Sequence, residues 1–361
     1  MLYIFICKSI ILCESVKLMT SKKCDNKVNM ADIARVAGTS VMTVSRALSD
    51  GKCGEQTRKR IRDIADKMGY FPNKLVKAFA NERIDTIGIV VPNIIHAFFP
   101  CVVNAIEEVL AVNGYNVFLC CSRDNPEVEA EKIRSLLGYR VAGISMLPSV
   151  RSTLSAENAK LVLDSGRPLV LVDRIIPSIK CDSVGWRSSE AMGKIIDDLI
   201  CRKCRNFVYV CGDNNEWRNR GRTKGFFNAL KKKALNPLAV LNCEDSESVK
   251  LAITELFSKK KTPDAICCAT DILADQVLSA LKSLGISVPK DVALTGFGGI
   301  INNHNSILRI TTASQNAEKM GNEAARLILN RLKSSLLRNP KFESVRIPLD
   351  VEICESSQFK S

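Results

Sequence analysis

Two groups of residues in this 361-residue chain have the types and spacing to do recognition chemistry. The first is Ser40-Val41-Met42-Thr43-Val44-Ser45-Arg46. A guanidinium such as that of Arg46 can pair bidentately with guanine, and Val41 and Met42 offer apolar contact, for example to a thymine methyl. The hydroxyls of Ser40 and Thr43 are spaced to bond phosphates, which sets register on a duplex. The second group is dispersed. Pro92, Asn93 and Phe98-Phe99, then Asp173-Arg174, then Trp217, Arg220 and Arg222, then Thr270-Asp271, then Phe297-Gly298-Gly299 each follow an apolar run. Aromatic faces beside Asp, Asn and Arg suit a polyhydroxyl ligand, because the CH face of a sugar stacks on a ring and fixed polar groups read its hydroxyls.

Bond-making chemistry finds little support. The two histidines, His96 and His304, have no paired acid or nucleophile pattern nearby, and no G-x-G-x-x-G follows any strand candidate. Cys201 and Cys204 have C-x-x-C spacing, but a structural zinc site takes four ligands and there is no matching second pair, so they read as surface or packing cysteines. No metal, cofactor or enzymatic activity is expected. Fifteen cysteines in a long chain, many inside apolar runs, suit buried free thiols in a reducing cytoplasm.

The elements that position the first group are helical. Asn29 can cap a helix, with Asp32 at its third position, where an acid suits the helix dipole. Ile33, Ala34 and Ala37 share a face, Gly38 breaks the helix, and Thr39-Ser40 offers a new cap before 41–48. Two short helices joined by a Gly-containing turn make a helix-turn-helix. A third helix is expected from about Glu55 to Met68, with Ile61, Ile64, Ala65 and Met68 as its stripe and Arg58, Lys59, Arg60 and Arg62 on its other faces. The charge distribution agrees. The formal charge of +14 splits into +3 over 1–28, +5 over 29–83 and only +6 over the other 278 residues. A basic head on a nearly neutral body favours an anionic partner such as nucleic acid.

The second group needs a scaffold of strands and helices in alternation. Strand candidates are 86–91, 115–121, 141–147, 168–172, 207–211, 265–269 and 292–296, with helices at 99–113, 126–138, 188–203, 220–234 and 271–285. Alternation of this kind implies parallel sheets covered on both faces, with ligands outside the carboxyl ends of the strands. No run reaches the ~18 apolar residues of a membrane span. Residues 1–28 read as an extension, with translation expected to start at Met19 or Met30; Lys8 splits their apolar stretch, which makes a poor export signal.

Asp32-Ile33-Ala34-Arg35-Val36-Ala37-Gly38-Thr39-Ser40, then Thr43-Val44-Ser45-Arg46-Ala47-Leu48, then Gly69-Tyr70-Phe71-Pro72-Asn73 occur in order and resemble the head of the lactose/galactose-repressor family of bacterial transcription regulators. The resemblance runs from about 29 to 355. It implies an α/β protein with an N-terminal three-helix helix-turn-helix head (29–72), a hinge helix (73–83) and a bilobed body (84–356) like a periplasmic sugar-binding protein. The first lobe is expected at about 84–185 and 316–340, the second at about 186–313 and 341–356. It further implies a homodimer on near-palindromic double-stranded operator DNA, repression of carbohydrate-utilisation genes, and a small sugar effector held between the lobes. The DNA-contact set is then Asn29, Ser40, Val41, Met42, Thr43, Ser45 and Arg46 in the head, and Asn73, Val76, Lys77 and Phe79 in the hinge. Phe79 stands where the family usually has a minor-groove Leu wedge. The matched effector positions are Phe98, Phe99, Asp173, Arg222, Asp271 and Gly298.

Two departures carry a further expectation. Gly298-Gly299 and Arg187-Ser188 stand where many members have Asp-Asp and Asp-Asn. Losing acids makes a cleft more positive, so an acidic effector such as a sugar acid or sugar phosphate is expected, with Arg222 as counter-ion. The second helix and the missing Asp pair resemble the gluconate-repressor branch. The rival readings are an exported sugar-binding protein, which shares the body but not the head, and a regulator that activates.

Overall fold

The structure is a computed structural model that describes residues 28–49, 51–70, 84–95, 98–149, 152–212, 217–243, 245–259, 262–299, 308–334 and 341–358. It divides into two units, Met1–Ala80 and Asn81–Ser361.

In the first unit, the Asn29 side chain accepts from Ala31 and Asp32 amides while the Asp32 carboxylate accepts from the Asn29 amide, a capping box that starts α1 (Met30–Ala37). Gly38 ends it at φ 60°, a left-handed conformation that a side chain would strain. Ser40 caps α2 (Val41–Leu48), and α3 (Glu55–Lys67) crosses both. Ile33, Ala34, Ala37, Val44, Ala47, Ile61 and Ala65 form the core. Two arginines of α3 turn inward. Arg58 donates to the carbonyls of Ser49 (2.6 Å) and Gly51 (2.6 Å), and Arg60 donates to the carbonyl of Ala37. Cations at helix C-termini satisfy the orphan carbonyls there and oppose the negative dipole end.

The second unit holds two parallel sheets. In the first, β1 (Ile84–Val91), β2 (Asn116–Cys121), β3 (Val141–Met146), β4 (Leu169–Val172), β5 (Asp182–Trp186) and β11 (Ser344–Ile347) lie in the order β11-β5-β4-β3-β1-β2. Helices α4 (Phe98–Val112), α5 (Pro126–Gly138), α6 (Ser152–Asp164) and α11 (Ala317–Ser334) cover it. In the second sheet, β6 (Phe207–Cys211), β7 (Ala239–Asn242), β8 (Ala265–Cys268) and β9 (Ala293–Thr295) lie in the order β7-β6-β8-β9. Around it are α7 (Ser188–Cys201), α8 (Trp217–Lys232), α9 (Ser246–Ser258) and α10 (Asp271–Ser283). β10 (Thr312–Ser314) and β12 (Asp350–Glu352) pair antiparallel. β3, β4, β6 and β8 are buried along their whole length, as parallel strands covered on both faces must be. β2 is an edge strand and leaves Phe118 and Leu119 partly exposed.

The chain passes between the sheets at 186–188, 314–317 and 347–350. β11 falls in a stretch expected in the second lobe, yet it pairs in parallel with β5 of the first sheet. The reason is electrostatic. Asp182, its side chain 3% exposed, accepts two hydrogen bonds from Arg331 of α11 (2.6 Å each) and one from the Glu343 amide (2.8 Å). This draws the segment before β11 onto β5. Among the described residues no helix is long and apolar enough to cross a membrane.

Arg331→Met strands the Asp182 carboxylate in a dry site, which costs about 3–5 kcal/mol. The urea midpoint of the body should fall accordingly, and an unchanged midpoint would show the pair to be dispensable.

Candidate functional site

The head presents one face of α2. Val44 and Ala47 face the core, while Val41 (47% exposed) and Met42 (64%) stand out with Ser45 and Arg46. The Arg46 guanidinium lies 3.5 Å from the Met42 sulfur, so the cation and the apolar group form one exposed patch. The oxygen of Ser40 accepts from the Thr43 amide (3.1 Å) and the two hydroxyls are 2.9 Å apart. Asn29 is exposed, with its side-chain oxygen committed to capping α1. The structure therefore brings the seven expected head residues to the first turns of two neighbouring helices. Asn73, Val76, Lys77 and Phe79 lie outside the described residues, as do His96, His304 and the side chains of Trp217 and Arg220.

In the body, both sheets reverse their strand order, at β1/β3 and at β6/β8, and crevices open at such switch points. A cavity of about 150 Å3 is lined from the first sheet by Asn93, Phe98, Phe99, Asp124, Asp173 and Arg174, and from the second by Arg222, Thr270, Ile272 and Phe297, with Gln315 at a crossover. Phe98 is half-buried and meets Phe99 edge-on at 5.5 Å; Phe99 is largely core. Arg222 is 7% exposed, stacks over the Phe297 ring at 4.3 Å and donates to the Ala269 carbonyl at 2.6 Å. Its charge is desolvated and offset by a ring face and a carbonyl dipole. Arg174 is 6% exposed and bonds Asp124 (2.8 Å) and the Pro148 carbonyl (2.7 Å).

Asp173 sits at φ 64° and accepts from the Trp186 indole N–H at 2.6 Å. Trp186 ends β5, touches the cores of both sheets and lies 6.2 Å from Phe98. It also lines a second, larger cavity of about 560 Å3, with Arg187, Ser188, Gly221 and Arg346. Of the six expected effector residues, Phe98, Phe99, Asp173 and Arg222 share one cavity. Asp271 and Gly298 are not among its lining residues. Asp271 is buried, accepts from the Thr312 hydroxyl (2.7 Å) and donates its amide to the Phe297 carbonyl; the Gly298 amide bonds the Ala313 carbonyl. Both position the wall behind the cavity. Sequence reasoning does not find Trp186, Gln315 and Arg346, which lie on short or polar segments with no apolar run to mark them, nor Asp124, which does follow the 115–121 run and could have been found from it.

Cys204 is buried, and burial pushes its thiol up to about 11, while Cys201 is exposed. A thiol so shifted is a poor thiolate nucleophile at neutral pH. No group of three or more His, Cys, Asp or Glu able to hold a metal occurs among the described residues.

A helix-turn-helix head joined to a body of two parallel α/β sheets around an aromatic, arginine-lined cavity is the architecture of bacterial DNA-binding regulators. Residues 29–73 match the family described as bacterial regulatory proteins, lacI family, and residues 196–352 match a periplasmic binding protein-like domain. The chain is 31% identical over 324 residues to the HTH-type transcriptional regulator RegA of Clostridium saccharobutylicum, covering 87% of this chain and 95% of that one. The fold superposes on the lac repressor dimer bound to operator and the anti-inducer ONPF (TM-score 0.80, 18% identity, 92% of this chain and 99% of that one). It also superposes on the regulator CelR in complex with cellobiose (TM-score 0.66, 22% identity, 91% and 99%). The chain belongs to the lacI family of bacterial regulatory proteins and is a transcriptional regulator of that family.

The wall that carries Arg174 rests on Glu129, whose carboxylate accepts from the Ser149 amide (2.7 Å) and Asn158 (2.9 Å). Burial raises its pKa above the ordinary 4.5 despite those hydrogen bonds. The folded protein thus holds this proton more tightly than the unfolded chain, and the resulting stability is present below the unfolded value and lost as pH rises through the folded one. Glu129→Gln removes that titration. The stability of the wild type relative to the variant should decline as pH rises from 4.5, read from urea midpoints across the range; a constant difference would place the proton elsewhere.

Proposed function

We propose that this regulator is a cytoplasmic repressor of carbohydrate-utilisation genes, without enzymatic activity, that binds a near-palindromic operator as a homodimer and responds to a sugar-like, acidic effector in the inter-lobe cavity. The observation that carries the reading is the division of α2 into a buried Val44/Ala47 face and an exposed Val41, Met42, Arg46 patch. That is what a recognition helix needs if its first turns are to meet base edges in the major groove. Ser40, Thr43 and Asn29 are placed for phosphate contacts beside it. The two cavities support the ligand half: Phe98 in the smaller and Trp186 in the larger offer ring faces to a sugar, and Asp173, Arg174 and Arg222, shared by both, offer fixed polar groups. RegA is a transcriptional regulator by name, and CelR is complexed with cellobiose, which agrees with a carbohydrate effector.

The effector acts only through a difference in its affinity for two arrangements of the lobes. Typical couplings of about 1–3 kcal/mol correspond to roughly 5–150-fold in operator affinity. The matched hinge residues Asn73, Val76, Lys77 and Phe79 transmit that difference by folding on the minor groove, where Phe79 can unstack a base step.

The test is operator selection from genomic fragments, followed by anisotropy titrations at fixed salt. Arg46→Ala should cost about 1–3 kcal/mol in specific affinity and relax the preference at one guanine position. Phe79→Ala should weaken the operator complex while leaving the body's urea midpoint unchanged. A purified protein that selects no fragment at low ionic strength overturns the reading.

A further inference from the structure

The two cavities share Asp173, Arg174 and Arg222 but differ in charge. The smaller, aromatic one is balanced, with two arginines facing Asp124 and Asp173. The larger one is lined by four arginines and only two carboxylates, Asp173 and Glu190. Arg174 is already held by Asp124, and Arg187 leans toward Glu190 at 3.7 Å. Arg346 is different. The residue is exposed, and among the described residues no carboxylate stands within ion-pair distance of its guanidinium. The strand beneath it makes room for the head group. Arg346 is in register with Gly185 of β5, and a Cβ on Gly185 would come within 2.6 Å of the Arg346 guanidinium. The Arg346 carbonyl in turn accepts from Arg187 Nε at 3.2 Å, which holds the Arg187 guanidinium at the rim where the chain crosses between sheets. An exposed guanidinium with no carboxylate partner among the described residues, on the wall of an arginine-lined cavity, is a site for a carboxylate or phosphate, which its planar fork matches.

We propose that the larger chamber is an anion subsite, with Arg346 as its principal counter-ion, and that it receives the carboxylate or phosphate of an effector whose sugar ring occupies the adjoining aromatic cavity. The proposal rests on the carbohydrate reading above and deepens it by naming the ligand class: an extended carbohydrate anion, longer than a single neutral hexose. It also moves the counter-ion role from Arg222, which is committed to Phe297 and the Ala269 carbonyl, to a residue on β11.

The test uses the full-length protein in three forms: wild type, Arg346→Met and Arg346→Lys. Calorimetry and ligand-dependent melting are run with inorganic phosphate, glucose, gluconate and glucose 6-phosphate. Circular dichroism checks that each variant folds. The wild type should be stabilised by phosphate and should bind an anionic sugar more tightly than glucose. Arg346→Met should lose the phosphate response and weaken the anionic sugar about tenfold or more, with glucose unaffected, and Arg346→Lys should recover part of the loss. Anionic sugars that bind wild type and Arg346→Met alike overturn the subsite and leave the carbohydrate reading standing. A phosphate response lost in Arg346→Met, with no sugar bound by any form, upholds the subsite and overturns the carbohydrate reading. No phosphate response and no anionic ligand in the wild type overturns the subsite.

Discussion

Guanidinium groups held out of water are the constraint around which the body is arranged. Arg222 and Arg174 are nearly inaccessible, and a buried charge is costly unless nearby groups offset it. Each solution recruits a different part of the chain. Arg222 uses a ring face from the segment after β9 and a carbonyl from the end of β8. Arg174 uses Asp124 from the turn after β2 and the Pro148 carbonyl after β3, and the neighbouring Ser149 amide is fixed in turn by Glu129. The contacts of these two cations tie together the loops at the carboxyl ends of the strands, although the buried Nε of Arg222 itself makes no hydrogen bond among the described residues. Those loops make the cavity wall.

The same physics runs in the opposite direction in the head. There the basic residues divide between structure and surface. Arg58 and Arg60 are spent on the C-terminal carbonyls of the turn and of α1, whereas Arg46 projects from α2. Net charge alone therefore overstates the number of cations available to a polyanion. The excess still steers association, because a field depends on the summed charge and not on which carbonyl each arginine contacts.

Trp186 links the lobes physically. It closes β5, bonds the strained Asp173, touches both cores and lines the larger cavity. A rearrangement of the lobes must change its contacts with at least one core, and a ligand in the cavity meets the same side chain. That is the kind of shared element through which a difference in ligand affinity can act on the arrangement of sheets.

The periodicity of the sequence determined the helices of the head, the caps at Asn29, Gly38 and Ser40, and the long buried strands, because hydrogen bonds and burial over a few neighbouring residues decide them. It also gathered Phe98, Phe99, Asp173 and Arg222 as residues following strands. Short polar β5, with Asp182-Ser183-Val184-Gly185-Trp186, carried no apolar signal and so hid Trp186. The pairing of β11 with β5, and with it the place of Arg346, was decided by contacts more than 140 residues apart in the chain. Whether an arginine is a surface ion pair or a buried wall element depends on which distant carbonyls and carboxylates reach it. Only the tertiary arrangement supplies those partners, because desolvation is a property of the surroundings rather than of the residue.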